Sequence, residues 1–420
     1  MLKKIQIKQL KLGMHLHALE GAWLNHPFWK TKFVLTDPSD LDKLLASGVE
    51  DCWIDTRKGV DVAPVAPPAR AQTAALAVIE VPAAAAVAVP SVAVVQQLSM
   101  AQEVKRAAVL VHKSKQAVMA LFSEARLGNA VDAESCLPLV DEISGSVMRN
   151  PGTLVSLARL KTHDDYTYMH SVAVCALMIS LARQMGFDEA KTRDAGLAGL
   201  LHDVGKALMP LAILNKPGKL TDDEFTIIKT HPMRGHELLR EGGTASEGAL
   251  DVCLHHHEKI DGSGYPHGLH GEQISTLAKM GAVCDVYDAI TSNRPYKNGW
   301  DPAESIRKMA EWRGGHFDDA VFQAFVKSMG IYPVGSLVRM QSGRLGVVCE
   351  QNRDSLVAPK VKVFFSTRSQ LHIPPELLDL SSRACSDRIA ARESNAQWKF
   401  QHLDELWAGP DALKHIGFTA

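Results

Sequence analysis

Along the first 60 residues apolar and polar positions alternate around Ile5, Ile7 and Leu10, break at Gly13 and resume at Trp53-Ile54-Asp55. A helical run from about Ser39 to Ala46 lies between the two alternating stretches. This pattern predicts a small α+β domain over residues 1–62, with Trp23, Phe28, Trp29 and Phe33 as its aromatic core. From Ala63 to Ser99 the composition shifts to Ala, Val and Pro, which reads as an extended interdomain linker. Its apolar run from Val81 to Val95 falls short of the roughly 20 residues a membrane span needs, and Pro82 and Pro90 break it.

Helical spacing then takes over. Val104, Ala107, Ala108 and Val111 mark one apolar stripe, and Leu137, Val140, Ile143 and Val147 another, with Asp132 as a cap between them. These helices either pair two subunits and pass on a signal or complete the helical core. A further helix holds His170 with Val174, Leu177, Met178 and Leu181, and the next runs from an Asp188 cap to His202-Asp203. Gly205 then lets the backbone turn and leaves Lys206 close by. Thr221-Asp222-Asp223-Glu224 is a capping box that starts a helix carrying His231 about three turns in. Another helix runs from Ser246 to about His257, and Asp285 and Asp288 share a helix face at i, i+3 spacing. Asp301-Pro302 and Asp318 open two more, the second stopping at Gly330. Beyond Tyr332-Pro333 short alternating strands appear at Ser336 to Arg339, Leu345 to Cys349 and Val361 to Phe365, before a helix-like tail with Trp398 and Trp407. The expected fold is mainly α: residues 100–332 form a helical domain with a core at 160–332, and residues 333–420 a β-containing extension.

Composition narrows the function. A net charge of -1 over 420 residues argues against a nonspecific binder of nucleic-acid polymer, so any phosphate affinity is local. The seven cysteines are scattered without a CxxC pair, which suits a reducing cytoplasm. Cys253 and Cys284 read as small buried apolar residues. The start of the chain is too polar for a signal peptide, and a cytoplasmic location is expected.

The chemistry concentrates between Tyr168 and Lys297. His170, the doublet His202-Asp203, His231, the triplet His255-His256-His257 and Asp285 come from separate helices, and such a set suits a two-metal centre. The doublet is the natural source of a carboxylate shared between two ions. His256 and His257, about 100° apart on a helix, can address one ion from two directions or contact two. Residues 261–269, with Gly262, Gly264, Pro266 and Gly268, form an irregular loop. Arg294 offers a planar fork and Lys297 a point charge to a phosphate or guanine. Isolated histidines such as His112, His163, His372 and His415 receive no chemistry.

His202-Asp203 followed by Lys206, His231-Pro232, His256-His257-Glu258, Asp261-Gly262-Ser263-Gly264-Tyr265-Pro266, Gly268-Leu269, Asp285, Asp288 and Arg294-Pro295-Tyr296-Lys297 together resemble the signature of the HD-GYP family. That family is a branch of the HD superfamily of metal-dependent phosphohydrolases that cleaves the bacterial second messenger cyclic di-GMP. Residues 1–62 resemble the N-terminal domain of unknown function often joined to it. The resemblance implies an all-helical HD-type catalytic domain and two divalent ions, Fe or Mn. It assigns His170, His202, Asp203 and Asp285 to the first ion and His231, His256 and His257 to the second, with Asp203 shared. His255 stays outside the ligand set.

The same resemblance makes Lys206 and Asp203 catalytic and assigns Gly264, Tyr265, Pro266, Asp288, Arg294 and Lys297 to the substrate. A bridging water would provide hydroxide for in-line attack, with Lys206 stabilising the phosphoryl oxygens. Some members carry a glutamate four residues before the first histidine ligand, associated with a third metal; Tyr166 stands there, so two ions and the linear product pGpG are expected, with GMP as the further product. Alternatives are another cyclic dinucleotide as substrate, or a catalytically silent signalling adaptor. A homodimer and protein partners are left open, and loss of the messenger implies control of motile against attached, biofilm growth.

Overall fold

The computed structural model describes residues 2–19, 33–36, 38, 41, 45, 51–60, 100–160, 166–216, 218–292, 299–352 and 354–417. They fall into two compact units, Met1–Gln97 and Leu98–Ala420. In the first, β1 (Leu2–Gln6), β2 (His15–Leu19), β3 (Phe33–Val34) and β4 (Asp51–Asp55) form a four-stranded sheet in the order β1-β4-β2-β3. Leu2 pairs with Asp55 and Gln6 with Asp51, antiparallel. The alternation seen in the sequence is what this sheet buries: Ile5, Leu16, Cys52 and Ile54 face one core with Ile7, Leu10, Met14 and Leu35. Trp23, Phe28, Trp29, most of the helical run at 39–46 and the 63–99 segment lie outside the described residues, as does the side chain of Phe33.

The second unit is helical for most of its length. Its helices are α1 (Met100–Arg126), α2 (Leu137–Arg149), α3 (Pro151–Arg159), α4 (Tyr166–Gln184), α5 (Glu189–Leu201), α6 (Leu211–Leu214), α7 (Asp222–Ile228), α8 (His231–Gly242), α9 (Glu247–His255), α10 (Thr276–Thr291), α11 (Pro302–Glu311) and α12 (Asp319–Met329). Helix α4 is the axis: every residue from Met169 to Ala182 is buried, and α1, α2, α3, α5, α10 and α12 all pack on it. A helix apolar on every face has no solvent side and belongs at the centre. Leu139, Ile143, Leu154, Leu157 and Leu177 are almost wholly enclosed around it, each contributing roughly 1.5–3 kcal/mol of burial. Among the described residues no helix is long and apolar enough to cross a membrane.

Three local expectations need correction. Asp132 caps nothing: the 3-10 turn Glu134–Cys136 follows Ala133, and the buried Asp132 Oδ1 has no hydrogen-bond partner among the described residues. The cap in this region is Asn150, whose side chain accepts from the Gly152 and Thr153 amides ahead of Pro151. His231 does not sit three turns into the helix capped by Thr221. That helix, α7, keeps its capping box but stops at Ile228, and His231 opens α8. Pro232 lacks an amide hydrogen and its ring would strike the carbonyl four residues back, so the helix cannot run through. Finally, the turn at Gly205 forms, with the Lys206 amide donating to the Asp203 carbonyl at 2.9 Å, but glycine is needed there for close approach and not for a left-handed backbone. A Cβ there would lie 2.0 Å from the His231 carbonyl oxygen and 2.6 Å from the Gly235 amide nitrogen, so glycine is what allows the 3-10 segment Val204–Leu208 to lie against α8.

After α12 the chain forms β5 (Leu337–Met340), β6 (Arg344–Glu350), β7 (Lys360–Ser366), β8 (Leu371–Asp379) and β9 (Ile389–Arg392). They make an antiparallel sheet in the order β8-β7-β6-β5-β9 over a core of Val338, Met340, Val348, Val361 and Val363. The tail forms α13 (Asn395–Trp398), α14 (Leu403–Ala408) and α15 (Pro410–His415). Buried Trp407 anchors α14 against β6, and α15 lies on α1, so the tail docks on its own unit.

Candidate metal centre

Helix ends build the site. The last carbonyls of a helix have no partner within it, and three inward-facing histidines stand where such carbonyls occur. His202 is the C-cap of α5 and its Nδ1 lies 2.8 Å from the Gly199 carbonyl. His256 is the C-cap of α9 and its Nδ1 lies 3.0 Å from the Val252 carbonyl. His231 Nδ1 lies 2.7 Å from the Ile228 carbonyl, which the break before Pro232 leaves free. A carbonyl only accepts, so each Nδ1 carries the hydrogen and each Nε2 presents a lone pair to the interior.

Those lone pairs meet one another and Asp203, which is fully buried. His231 Nε2 is 3.4 Å from His256 Nε2 and 3.1 Å from Asp203 Oδ1, while His256 Nε2 is 3.7 Å from the same oxygen. On the other side, Asp203 Oδ2 is 3.4 Å from His202 Nε2 and 3.4 Å from His170 Nε2. Asp285 Oδ1 lies 3.0 Å from His170 Nε2 and 4.0 Å from His202 Nε2, and its Oδ2 lies 3.7 Å from His257 Nδ1. The ligand atoms fall into two groups, Asp203-His231-His256-His257 and His170-His202-Asp285, each within 4.8 Å. Lone pairs and carboxylate oxygens gathered this closely repel, and the buried Asp203 Oδ1 has no hydrogen-bond partner among the described residues. Cations resolve both conflicts, and the imidazole and carboxylate set suits Fe, Mn or Zn.

His170 differs from the other histidines. Its Nδ1 is 2.6 Å from Asp288 Oδ2 and its Nε2 faces Asp285, so both nitrogens meet carboxylates. Burial pulls its pKa down, but the bonds to Asp285 and Asp288 outweigh that and raise it. Burial, helped by the charges of Lys206 and His256, outweighs Asp203 and pushes His231 down to about 4. Burial and His256 hold His257 well below its usual value. For Asp203 burial acts upward, yet Lys206 and His202 hold it well below the carboxylate range; its Oδ2 is 2.5 Å from Lys206 Nζ. Burial also acts upward on Asp285, and His170 and His257 overcome it. Both carboxylates, Asp203 and Asp285, are therefore held in their charged form.

Asp288, expected at the substrate, is placed differently. It is 2% exposed and stands behind His170, also within 3.3 Å of the Ser292 hydroxyl, in the position of a group that orients a metal-ligating imidazole. Tyr265 stacks on His257 with centroids 4.7 Å apart, and burial pushes its phenol pKa up. Gly264 allows this approach, because a Cβ there would lie 2.5 Å from Glu258 Cα and 2.6 Å from the His257 carbonyl oxygen. Pro266 follows in a cis peptide. Arg294 and Lys297 lie outside the described residues. His255 points away, to Asp251 at 2.8 Å and His267 at 3.1 Å.

Glu258 takes on a role that its place in the sequence does not specify. Its buried carboxylate accepts from the His267 and Leu269 amides at 2.7 and 3.0 Å and so pins the glycine-rich loop. Its place directly after the histidine triplet was the available signal. Tyr166 stacks parallel to His170 at 5.9 Å, a phenol ring where a carboxylate ligand would reach inward.

A helical bundle ending several helices on inward-facing imidazoles around a shared aspartate defines an HD domain of the metal-dependent kind. Comparison agrees: the HD domain model matches residues 152–321, and a model described as a domain of unknown function (DUF3391) matches residues 2–136. A cyclic di-GMP phosphodiesterase of Pseudomonas aeruginosa is 54% identical over 97% of this chain and 96% of its own length. The chain belongs to the HD-GYP family. A cyclic di-GMP phosphodiesterase response regulator of Xanthomonas campestris is 43% identical over 35% of this chain and 39% of its own. A 3'3'-cGAMP-specific phosphodiesterase of Vibrio cholerae is 35% identical over 40% of this chain and 39% of its own.

Proposed function

We propose that this enzyme hydrolyses cyclic di-GMP to the linear dinucleotide pGpG at a centre of two divalent ions, Fe or Mn. The observation that carries the reading is Asp203, whose two oxygens face the two ligand groups separately. Identity of 54% to a cyclic di-GMP phosphodiesterase across nearly the whole chain supports the substrate. Bound ions would act as Lewis acids and lower the pKa of a shared water, supplying hydroxide for in-line attack on phosphorus.

The side chains divide the remaining work. His202, His231 and His256 are held by backbone carbonyls with their lone pairs inward, so the ligand field is preorganised at little entropic cost on loading. Lys206 is half-buried and tethered to Asp203, which places its ammonium at the rim where phosphoryl oxygens gain charge. Tyr265, fixed by His257 behind it and Gly264 before it, shapes the mouth, and we assign Arg294 and Lys297 to the anionic substrate. Free cysteines throughout the described residues support action in the reducing cytoplasm, where the messenger diffuses.

Hydrolysis of 3'3'-cGAMP is the second reading, favoured by the Vibrio relative named for it. Chromatography of products from Mn-loaded protein incubated with cyclic di-GMP, 3'3'-cGAMP and cyclic di-AMP separates the readings. Cyclic di-GMP turned over fastest, with pGpG accumulating, is the expected result. Faster cleavage of 3'3'-cGAMP would replace the substrate, and accumulation of GMP without pGpG would replace the product.

A further inference from the structure

The metal cluster accounts for a phosphate, but a cyclic dinucleotide also carries two bases, which need an aromatic face and polar partners at their edges. The stretch between α11 and α12 offers both. The Ile260 amide donates to the His316 carbonyl at 3.3 Å and the Asp261 amide to the Gly315 carbonyl at 2.9 Å, so this stretch is fastened to the start of the glycine-rich loop. Together with Trp300, which precedes α11, it forms a run of rings: Trp300 to Trp312 at 6.4 Å, Trp312 to His316 at 6.4 Å, and His316 stacked on Phe317 at 4.3 Å.

The run leads outward from the core, with Trp312 also 6.5 Å from Phe317. Phe317 is 1% exposed and belongs to the core, whereas Trp300, Trp312 and His316 are only partly buried. Neither ring nitrogen of His316 has a hydrogen-bond partner among the described residues, although the charges of Lys259 and the metal-group residue Asp285 both reach it. Burial keeps this imidazole neutral, with a pKa of about 4, so it offers one donor and one acceptor together.

We propose that Trp312 and His316 form a purine-base subsite beside the metal centre. Trp312 stacks its indole on one base of the cyclic dinucleotide, and His316 hydrogen-bonds to that base's polar edge. The inference rests on the reading of the protein as a cyclic dinucleotide phosphodiesterase, and its test separates the two. Mn-loaded full-length protein is assayed on cyclic di-GMP and on bis(p-nitrophenyl) phosphate, a diester without bases. In Trp312→Leu the ratio of kcat/KM for the first substrate over the second falls about tenfold, the size of one lost base stack, with the change in KM. Trp312→Phe recovers most of it, and His316→Ala lowers the ratio as well.

A ratio within threefold of wild type in Trp312→Leu overturns the subsite, including the case where both substrates suffer equally. Wild-type protein that cleaves the simple diester and no cyclic dinucleotide would overturn the functional reading instead. Titration with GMP against ribose 5-phosphate, followed by tryptophan fluorescence, then decides the subsite independently. Quenching by GMP alone that disappears in Trp312→Leu supports it, and quenching that persists refutes it.

Discussion

Replacing Asp288 by Asn isolates the contribution of a residue that touches no proposed metal position yet fixes one ligand. The side chain keeps its shape and retains an acceptor for His170 Nδ1, 2.6 Å away in the native protein. What changes is charge: a bond of about 1.5–3 kcal/mol to a carboxylate becomes a neutral one of about 0.5–1.5 kcal/mol. Asp288 is 2% exposed, so water does not screen the difference. Because the same bond is present at 2.6 Å without an ion, about 1–2 kcal/mol is the upper limit of what metal binding loses when His170 donates through Nδ1 while Nε2 binds. That weakens Mn binding by up to roughly 5- to 30-fold, overlapping the lower part of the roughly 10- to 100-fold typical of such orienting carboxylates. Calorimetry or chelator competition on both proteins, with circular dichroism confirming the fold, gives the ratio. An unchanged Mn affinity with a raised KM for cyclic di-GMP would refute the reasoning and return Asp288 to the substrate.

Two further outcomes follow from the same geometry. Gly205→Ala forces a methyl group against the His231 carbonyl and the Gly235 amide, a backbone clash of about 3 kcal/mol or more. The midpoint of thermal unfolding should drop by roughly 6 °C or more, and a midpoint equal to wild type would show that the segment moves aside freely. His170 has a raised pKa in the metal-free protein and holds a proton that a metal must displace, whereas His231, at about 4, holds none near neutrality. Mn affinity therefore rises with pH until His170 is deprotonated, and loading near pH 7 releases roughly one proton. Binding heats measured in buffers of different ionisation enthalpy read this directly, and heats independent of buffer would contradict it.

What could be read from the residues beforehand follows a physical division. The histidine-aspartate doublet, the histidine triplet and the N-caps Asp188, Ser246 and Asp318 are local signals, and the structure places each at a helix end. The capping box at Thr221 marks a helix start without marking its length, so the pattern alone extends that helix through His231. Pro232 held the missing information. Gly205 and Asp288 depend on what α8 and α4 bring against them from other parts of the chain, and no spacing rule reports that. The same holds for His316, which with Gly315 reaches the start of the glycine-rich loop through backbone bonds across more than fifty positions.

The central claim is that Asp203 shares one carboxylate between two ions, and counting metal against turnover in one pair of proteins tests it most directly. Wild-type protein reconstituted with Mn should hold two ions per chain and form pGpG, while Asp203→Asn, losing the charge that faces both ligand groups, should hold neither tightly and form none. An Asp203→Asn protein that keeps two ions, or that turns over cyclic di-GMP at the wild-type rate, would contradict the account.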